Sequence, residues 1–277
     1  MSTNTKIPAS ALLLATLAAT AGAQATTLSL TGTVRDFCDS AAAVPAGCTA
    51  HPDFETVPIA FDTGIVLGTL GGDGKPVYAG SAGNPTTSTE ENFDKWYRDE
   101  AGTNLSTPLT LVLDDTGSPG IFHYSNGSFF PVDGDLWGNQ GRGHNYGFTF
   151  ELHTVFDYVG GETFTFTGDD DVWVFINDML AIDLGGVHGA ASATVTLDTI
   201  AASFGLVPGS SYSLDLFFAE RHTSASSFAI TTSLDLRTPP PPPPPHDAPE
   251  PASLALLALG GLLLPARRRE AGRKPAG

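Results

Sequence analysis

Positive charge is scarce in this chain. Only 13 of its 277 residues are Lys or Arg, against 30 Asp or Glu, and the formal net charge is −17. A surface of this sign repels the phosphates of nucleic acids and anionic lipids, which argues against both as partners. It suits divalent cations and neutral glycans as ligands. Solubility outside the cell explains the charge equally well, so composition leaves both interpretations open.

Cysteine is almost absent, since Cys38 and Cys48 are the only two in the sequence. Two cysteines exclude a scaffold held together by many disulfides. In an exported chain an isolated pair indicates one disulfide, and we predict that Cys38 and Cys48 form it. A metal site with these two ligands is the alternative, and no further cysteine supports it.

Catalytic motifs are also missing. The sequence has no Gly-x-Ser-x-Gly elbow, no phosphate-binding Walker loop and no His-Glu-x-x-His pattern. We therefore predict that the protein is not an enzyme. A polysaccharide hydrolase is the less favoured alternative, because it needs only two carboxylates about 5–10 Å apart.

Both ends of the chain have the composition of processing segments. Residues 1–25 combine Lys6, an apolar run and small residues before a cleavage point, as a secretory signal peptide does. At the other end a proline-rich linker, 238–248, precedes the tail 249–277. The tail contains Pro249-Glu250-Pro251, an apolar segment and three arginines, Arg267 to Arg269. The segment predicts a short apolar helix of roughly 20 Å, less than the roughly 30 Å of a bilayer core. We therefore expect a transient hold in the inner membrane.

The body of the chain alternates between apolar and polar residues with a period of two. Phe148, Phe150 and Leu152 share one face of a predicted strand, and similar patterns recur around residues 162–167, 212–218 and 228–236. The run 172–176 is apolar throughout, as in a strand covered on both faces. Short helices are predicted after Ser88, which has capping-box spacing with Glu91, and from Asp198 to a stop at Gly205. The fold class is therefore all-β: an antiparallel β-sandwich over 26–237, with its core at about 90–237 and a few short helices.

Three adjacent carboxylates, Asp169, Asp170 and Asp171, lie between two of the predicted strands. Like charges this close repel one another unless a cation offsets them. Ca²⁺ binds six to eight oxygens from carboxylates, amides and main-chain carbonyls on loops. The sequence therefore favours a calcium site at this loop, with Asn177 and Asp183 as further ligands. A solvated turn capped by aspartates is the alternative.

Several motifs resemble those of the fibro-slime domain. The specific ones are the segment from Gly168 to Asn177, which contains the three aspartates, and Glu220-Arg221-His222. The likeness extends over roughly residues 30–237. The tail in turn resembles the PEP-CTERM sorting signal. In proteins of that family an exosortase cuts the tail after a signal peptidase has removed the leader.

Fibro-slime domains resemble the β-sandwich of the protective-antigen type. In lectins of that type an Asp-Asp dipeptide, often joined by a cis peptide bond, holds Ca²⁺ that contacts sugar hydroxyls. The resemblance places Asp169 and Asp170 on the dipeptide. Asp171 stands where many members carry Gly, which leaves open which pair binds and whether the bond is cis.

The leading hypothesis is an exported protein of the cell surface or extracellular matrix that binds a glycan or exopolysaccharide with the help of Ca²⁺. We also expect Trp137, in a glycine-rich segment, and His188 to contact the ligand. Arg221 is assigned to the ligand site too, although pairing with a buried carboxylate is its favoured role. A structural or adhesive matrix protein without a small ligand is the alternative.

Overall fold

The computed structural model describes residues 26–40, 43–55, 57–80 and 84–239. The predicted signal peptide, the linker beyond residue 239 and the sorting tail with its apolar helix lie outside these residues. Within the described ranges, no helix combines the length and apolar character needed to cross a membrane.

Thirteen strands and two short helices make up the described secondary structure. In chain order they are β1 Thr27–Asp39, β2 Ala50–His51, β3 Ala60–Phe61, α1 Glu90–Phe93, β4 Asn104–Asp114, β5 Phe122–Asn126, β6 Phe148–Tyr158, β7 Thr163–Asp169, β8 Asp171–Ile176, β9 Met179–Leu184, β10 Gly186–Val187, β11 Ala191–Thr196, α2 Leu197–Phe204, β12 Ser210–Glu220 and β13 Ser227–Thr232.

The strands form an antiparallel sandwich. Their order in the main sheet is β11-β7-β13-β5-β4-β1-β6-β12-β8-β9, with β2 paired in parallel on β1. This order has two halves, β11-β7-β13-β5 and β4-β1-β6-β12-β8-β9. They join where β4 pairs with β5 through Asp114 and His123. Aromatic rings then cross between strands that are far apart in this order. Phe228 of β13, for example, lies 5.3 Å from Phe218 of β12 and 5.9 Å from Phe150 of β6, between ring centroids. The halves therefore face each other across one core, as predicted.

The period-two pattern decides which residues enter that core. Phe148, Phe150 and Leu152 of β6 are buried in it together with Phe156. Residues 172–176 of β8 are all apolar because both faces of the strand are covered. Its even-numbered residues lie in the main core, whereas Trp173 and Phe175 belong to a second cluster with Phe37, Phe54, Phe93 and Trp96. The prediction of a strand covered on both faces is confirmed.

Both helices form close to the predicted positions, but the predicted N-cap of the first helix, Ser88, is wrong by one residue. The N-cap of α1 is Thr89, one residue after Ser88, and its hydroxyl accepts from the amide of Asn92 at 3.2 Å. Helix α2 ends at Gly205, which adopts the left-handed conformation with φ 69° that glycine tolerates without steric cost. Cys38 and Cys48 form a disulfide beside β2.

Candidate functional site

The three adjacent aspartates lie where β7 ends and β8 begins, and the peptide bond between Asp169 and Asp170 is cis. Asp169 and Asp170 form part of an open pocket of about 100 Å³. Three segments supply the remaining lining: Ile59 before β3, the turn after β10, and the loop that follows β12. Their residues are Ile59, Val187, His188, Gly189, His222, Thr223, Ser224 and Ala225.

Main-chain donors hold the two pocket carboxylates in place. Asp170 accepts hydrogen bonds from the amides of His188 (3.1 Å) and Arg221 (3.0 Å), one at each oxygen. Oδ1 of Asp169 accepts from the amide (2.5 Å) and the hydroxyl (2.8 Å) of Ser227, while no described residue donates to Oδ2. A carboxylate oxygen has two lone pairs. The dipeptide therefore keeps acceptor capacity for a ligand.

Asp171 has a different role from its two neighbours. Its carboxylate forms a bidentate ion pair with Arg221, with Nε–Oδ2 at 2.6 Å and Nη2–Oδ1 at 3.0 Å, and both side chains are fully buried. The amide of Gly186 also donates to Asp171 Oδ1 at 2.6 Å. The guanidinium contacts the carbonyl of Thr86 and lies 4.6 Å from the ring centroid of Trp96. Arg221 therefore pairs with a buried carboxylate and does not line the described pocket.

Glu220 is the functional candidate that sequence reasoning missed. Its side chain is 1% exposed, and Oε2 has no hydrogen-bond partner among the described residues. Burial, together with the nearby carboxylates of Asp170 and Asp169, raises the pKa of Glu220 well above its usual range. A signal was available, since the alternation in β12 places Glu220 on the same face as Leu216 and Phe218. A charged residue at a core-facing position needs an explanation.

The negative charges around Asp169 and Asp170 are not balanced by positive ones among the residues that the structure describes. Burial, with a smaller contribution from Asp171, raises the pKa of Asp170 to about 7. The nearest positive group, the guanidinium of Arg221, is already hydrogen-bonded to both oxygens of Asp171. Asp169, Asp170 and Glu220 therefore lack a dedicated counter-charge among the described side chains. Desolvated carboxylates of this kind are stabilised when a cation binds them.

Two of the predicted metal ligands, Asn177 and Asp183, serve other purposes. Asn177 and its neighbour Asp178, with φ of 50° and 62°, form the turn between β8 and β9. This turn lies about 20 Å along the strand from Asp171, at roughly 3.3 Å per residue. Asp183 accepts from the amides of Gly64 (2.8 Å) and Gly185 (3.1 Å) and from the indole of Trp173 (3.0 Å). The structure does not bring Asn177 to the aspartates, and it uses Asp183 to fasten two loops.

The described residues contain no group of three or more His, Cys, Asp or Glu side chains already arranged around a metal position. The ligand set of a cation here would therefore include other oxygens besides side-chain carboxylates.

The residues predicted to contact the ligand do not all lie at the pocket. His188 lines the pocket, and its ring lies parallel to that of Phe61. Trp137 is half-buried and is not among the residues that line this pocket. Its amide donates to Asp36 at 2.6 Å, and its indole N–H is buried without a partner in the described part of the chain. The expectation of an exposed aromatic platform at Trp137 does not fit this placement.

Comparison with known proteins identifies a PA14 domain over residues 132–247. The chain is similar to protein psiR of Dictyostelium discoideum, with 39% identity over 205 residues that cover 68% of this chain and 20% of psiR. It is also 39% identical to protein psiC of the same organism over 222 residues, which cover 72% of this chain and 42% of psiC. The chain thus spans less than half the length of these relatives.

Among solved structures, one match is the PA14 sugar-binding domain of an RTX adhesin. The match has a TM-score of 0.26 and 12% identity, and it covers 75% of this chain and 95% of that domain.

Proposed function

We propose that this protein binds neutral carbohydrate in a calcium-dependent way at the pocket of Asp169 and Asp170. The observation that carries the proposal is the position of the two aspartates in an open pocket, close to the buried Glu220, whose Oε2 has no hydrogen-bond partner among the described residues. The PA14 domain supports carbohydrate binding or adhesion. The strongly negative composition of the chain favours neutral over acidic glycans.

The residues present fit a hard cation. Asp169 and Asp170 would hold Ca²⁺, and main-chain carbonyls, water and sugar hydroxyls would complete its six to eight oxygen ligands. When bound, the ion supplies positive charge that attracts the hydroxyls of a sugar. The protein contributes the position of the carboxylates, because the amides of His188 and Arg221 fix Asp170.

We further propose that the protein is exported to the cell surface or matrix and meets an extracellular glycan or exopolysaccharide there. Signal peptidase and exosortase would process its two ends. This part rests on the sequences of residues 1–25 and 249–277, which lie outside the described residues. Mass spectrometry of the mature protein tests it, and intact termini on the exported protein would contradict it.

The central experiment is calorimetric titration of the purified protein with Ca²⁺, followed by a glycan array with and without the ion. At a Ca²⁺ concentration of 100 times Kd we expect the free energy of unfolding to rise by about 2.7 kcal/mol. The double variant Asp169→Ala, Asp170→Ala should lose Ca²⁺ binding and glycan retention together. The matched control, Asp135→Ala with Asp178→Ala, removes two carboxylates from exposed positions and should keep both.

The outcomes separate the candidate functions. Absence of Ca²⁺ binding, or sugar binding that the Asp169 and Asp170 substitutions leave intact, would refute the calcium site. Stabilisation by Ca²⁺ without retention of any glycan would favour a structural or adhesive matrix protein. Release of sugar from a polysaccharide would contradict the prediction that the protein is not an enzyme.

A further inference from the structure

Two large apolar side chains are exposed at the edge of the pocket. Ile59 is 70% exposed and lines the pocket directly, and Phe61 is 62% exposed. Exposed apolar groups that adjoin a polar pocket are typical of binding sites, whereas scattered single ones need no explanation. Neither residue has a role in the core or in the proposed calcium site.

The backbone holds this segment close to the pocket. Strand β3 pairs with β10, so that Phe61 lies opposite Gly186 and Ala60 opposite Val187. Gly186 has φ 102°, and a Cβ atom there would lie 2.3 Å from the carbonyl oxygen of Ala60. Only glycine permits this close approach of the two chains. The pairing therefore fixes the position of Phe61.

Phe61 lies flat on the imidazole of His188. Their ring centroids are 4.0 Å apart, and the rings are within 18° of parallel. One face of Phe61 is thus covered by a residue that is itself only 5% exposed, which leaves the opposite face towards solvent. Because the amide of His188 donates to Asp170 at 3.1 Å, the stacked pair is directly connected to the carboxylates.

We propose that Phe61, supported by His188 and flanked by Ile59, receives the C–H face of a neutral hexopyranose whose hydroxyls point to Asp169 and Asp170. This inference rests on the proposed function and deepens it. A pyranose ring has an edge of hydroxyls and a face of C–H bonds, so it needs a polar and an apolar contact at adjacent positions. The face of an aromatic ring carries negative quadrupolar charge, which attracts the slightly positive C–H groups.

The test uses Phe61→Ala, Phe61→Trp and, as a matched control, Val159→Ala, which shortens a residue that is 71% exposed elsewhere. Each protein is titrated with Ca²⁺ and then with methyl β-galactoside and methyl β-glucoside. We expect Phe61→Ala to weaken sugar binding about 2- to 10-fold. Phe61→Trp should preserve sugar binding, and the affinity for Ca²⁺ should stay unchanged in all three. Thermal melting checks that each variant folds.

Failure of this inference can be told apart from failure of the proposed function. Sugar affinity could be unchanged in Phe61→Ala while binding still requires Ca²⁺ and Asp169 with Asp170. That result would overturn only the proposed contact between Phe61 and the sugar. If sugar binding is weaker in Phe61→Ala but does not require Ca²⁺ in any of the proteins, the contact with Phe61 would be supported and the role of the ion overturned. If the wild-type protein binds neither sugar, both proposals are wrong.

Discussion

Arg221→Met should be among the most damaging single substitutions in this domain. Methionine keeps the apolar stem but removes the guanidinium, which makes two hydrogen bonds with Asp171 and contacts the carbonyl of Thr86. Asp171 is fully buried and would be left without its ion-pair partner. Removing one member of a buried ion pair costs about 3–5 kcal/mol. For a folded body of this size, that loss corresponds to a decrease in Tm of roughly 6–20 °C.

The assay is urea unfolding followed by circular dichroism, in EDTA so that metal binding does not contribute. The matched control is Arg237→Met, because Arg237 pairs with Asp157 at 2.6 Å but both side chains are about half exposed. Its expected cost is below about 1 kcal/mol. In the double variant Arg221→Met, Asp171→Leu no charge is left unpaired, so its loss should be smaller than that of Arg221→Met alone. A cost for Arg221→Met no larger than the control's, or a double variant whose losses simply add, would refute the reasoning.

Three further predictions concern other parts of the fold. Burial raises the pKa of Asp36 to about 7 from the ordinary 3.8. Folding therefore favours the protonated form of Asp36. Because this stabilisation is lost as the carboxyl ionises, the free energy of unfolding should fall by a few kcal/mol between about pH 4 and pH 7. Asp36→Asn should flatten this part of the pH profile in urea titrations, and an unchanged profile would contradict it. Reduction of the Cys38–Cys48 disulfide should cost roughly 2–3 kcal/mol by the chain-entropy estimate, measured by unfolding with and without reductant; no change in midpoint would count against it. Gly186→Ala should weaken the pairing of β3 and lower Tm, whereas Gly143→Ala, which meets nothing within 4 Å, should not; equal melting curves would contradict the argument.

Much of the fold could be predicted because its strands are long and half-buried. The alternation of Phe148, Phe150 and Leu152 persists over a strand of eleven residues, and the apolar run of β8 reflects two covered faces. Each pattern is repeated often enough for local chemistry to identify it. The helices were predictable for a different reason, since Gly205 and the N-cap hydroxyl act within one turn of the helix end.

The candidate site was predictable where its residues are adjacent in sequence or belong to a recognisable motif, as His188 does. Asp169 and Asp170 could be chosen together because they are neighbours next to a strand. Phe61 could not be chosen, because β3 has two residues and such a strand shows no periodicity. Its contact with His188 depends on the pairing of β3 with β10, which brings together segments far apart in the chain. At Trp137 a glycine-rich segment predicts exposure, whereas the side chain is half-buried and its indole N–H is covered.

The structure also explains why an aspartate occupies position 171. Asp171 shares its side of β8 with Trp173 and Phe175, and it therefore faces the second cluster, where Arg221 lies against Trp96. A buried guanidinium needs a carboxylate partner, because an unpaired charge in that environment is strongly destabilising. Glycine at position 171 would leave Arg221 without that partner. The three aspartates therefore divide into a pair that lines the pocket and a third residue that, through Arg221, anchors the loop on the other side of the same pocket.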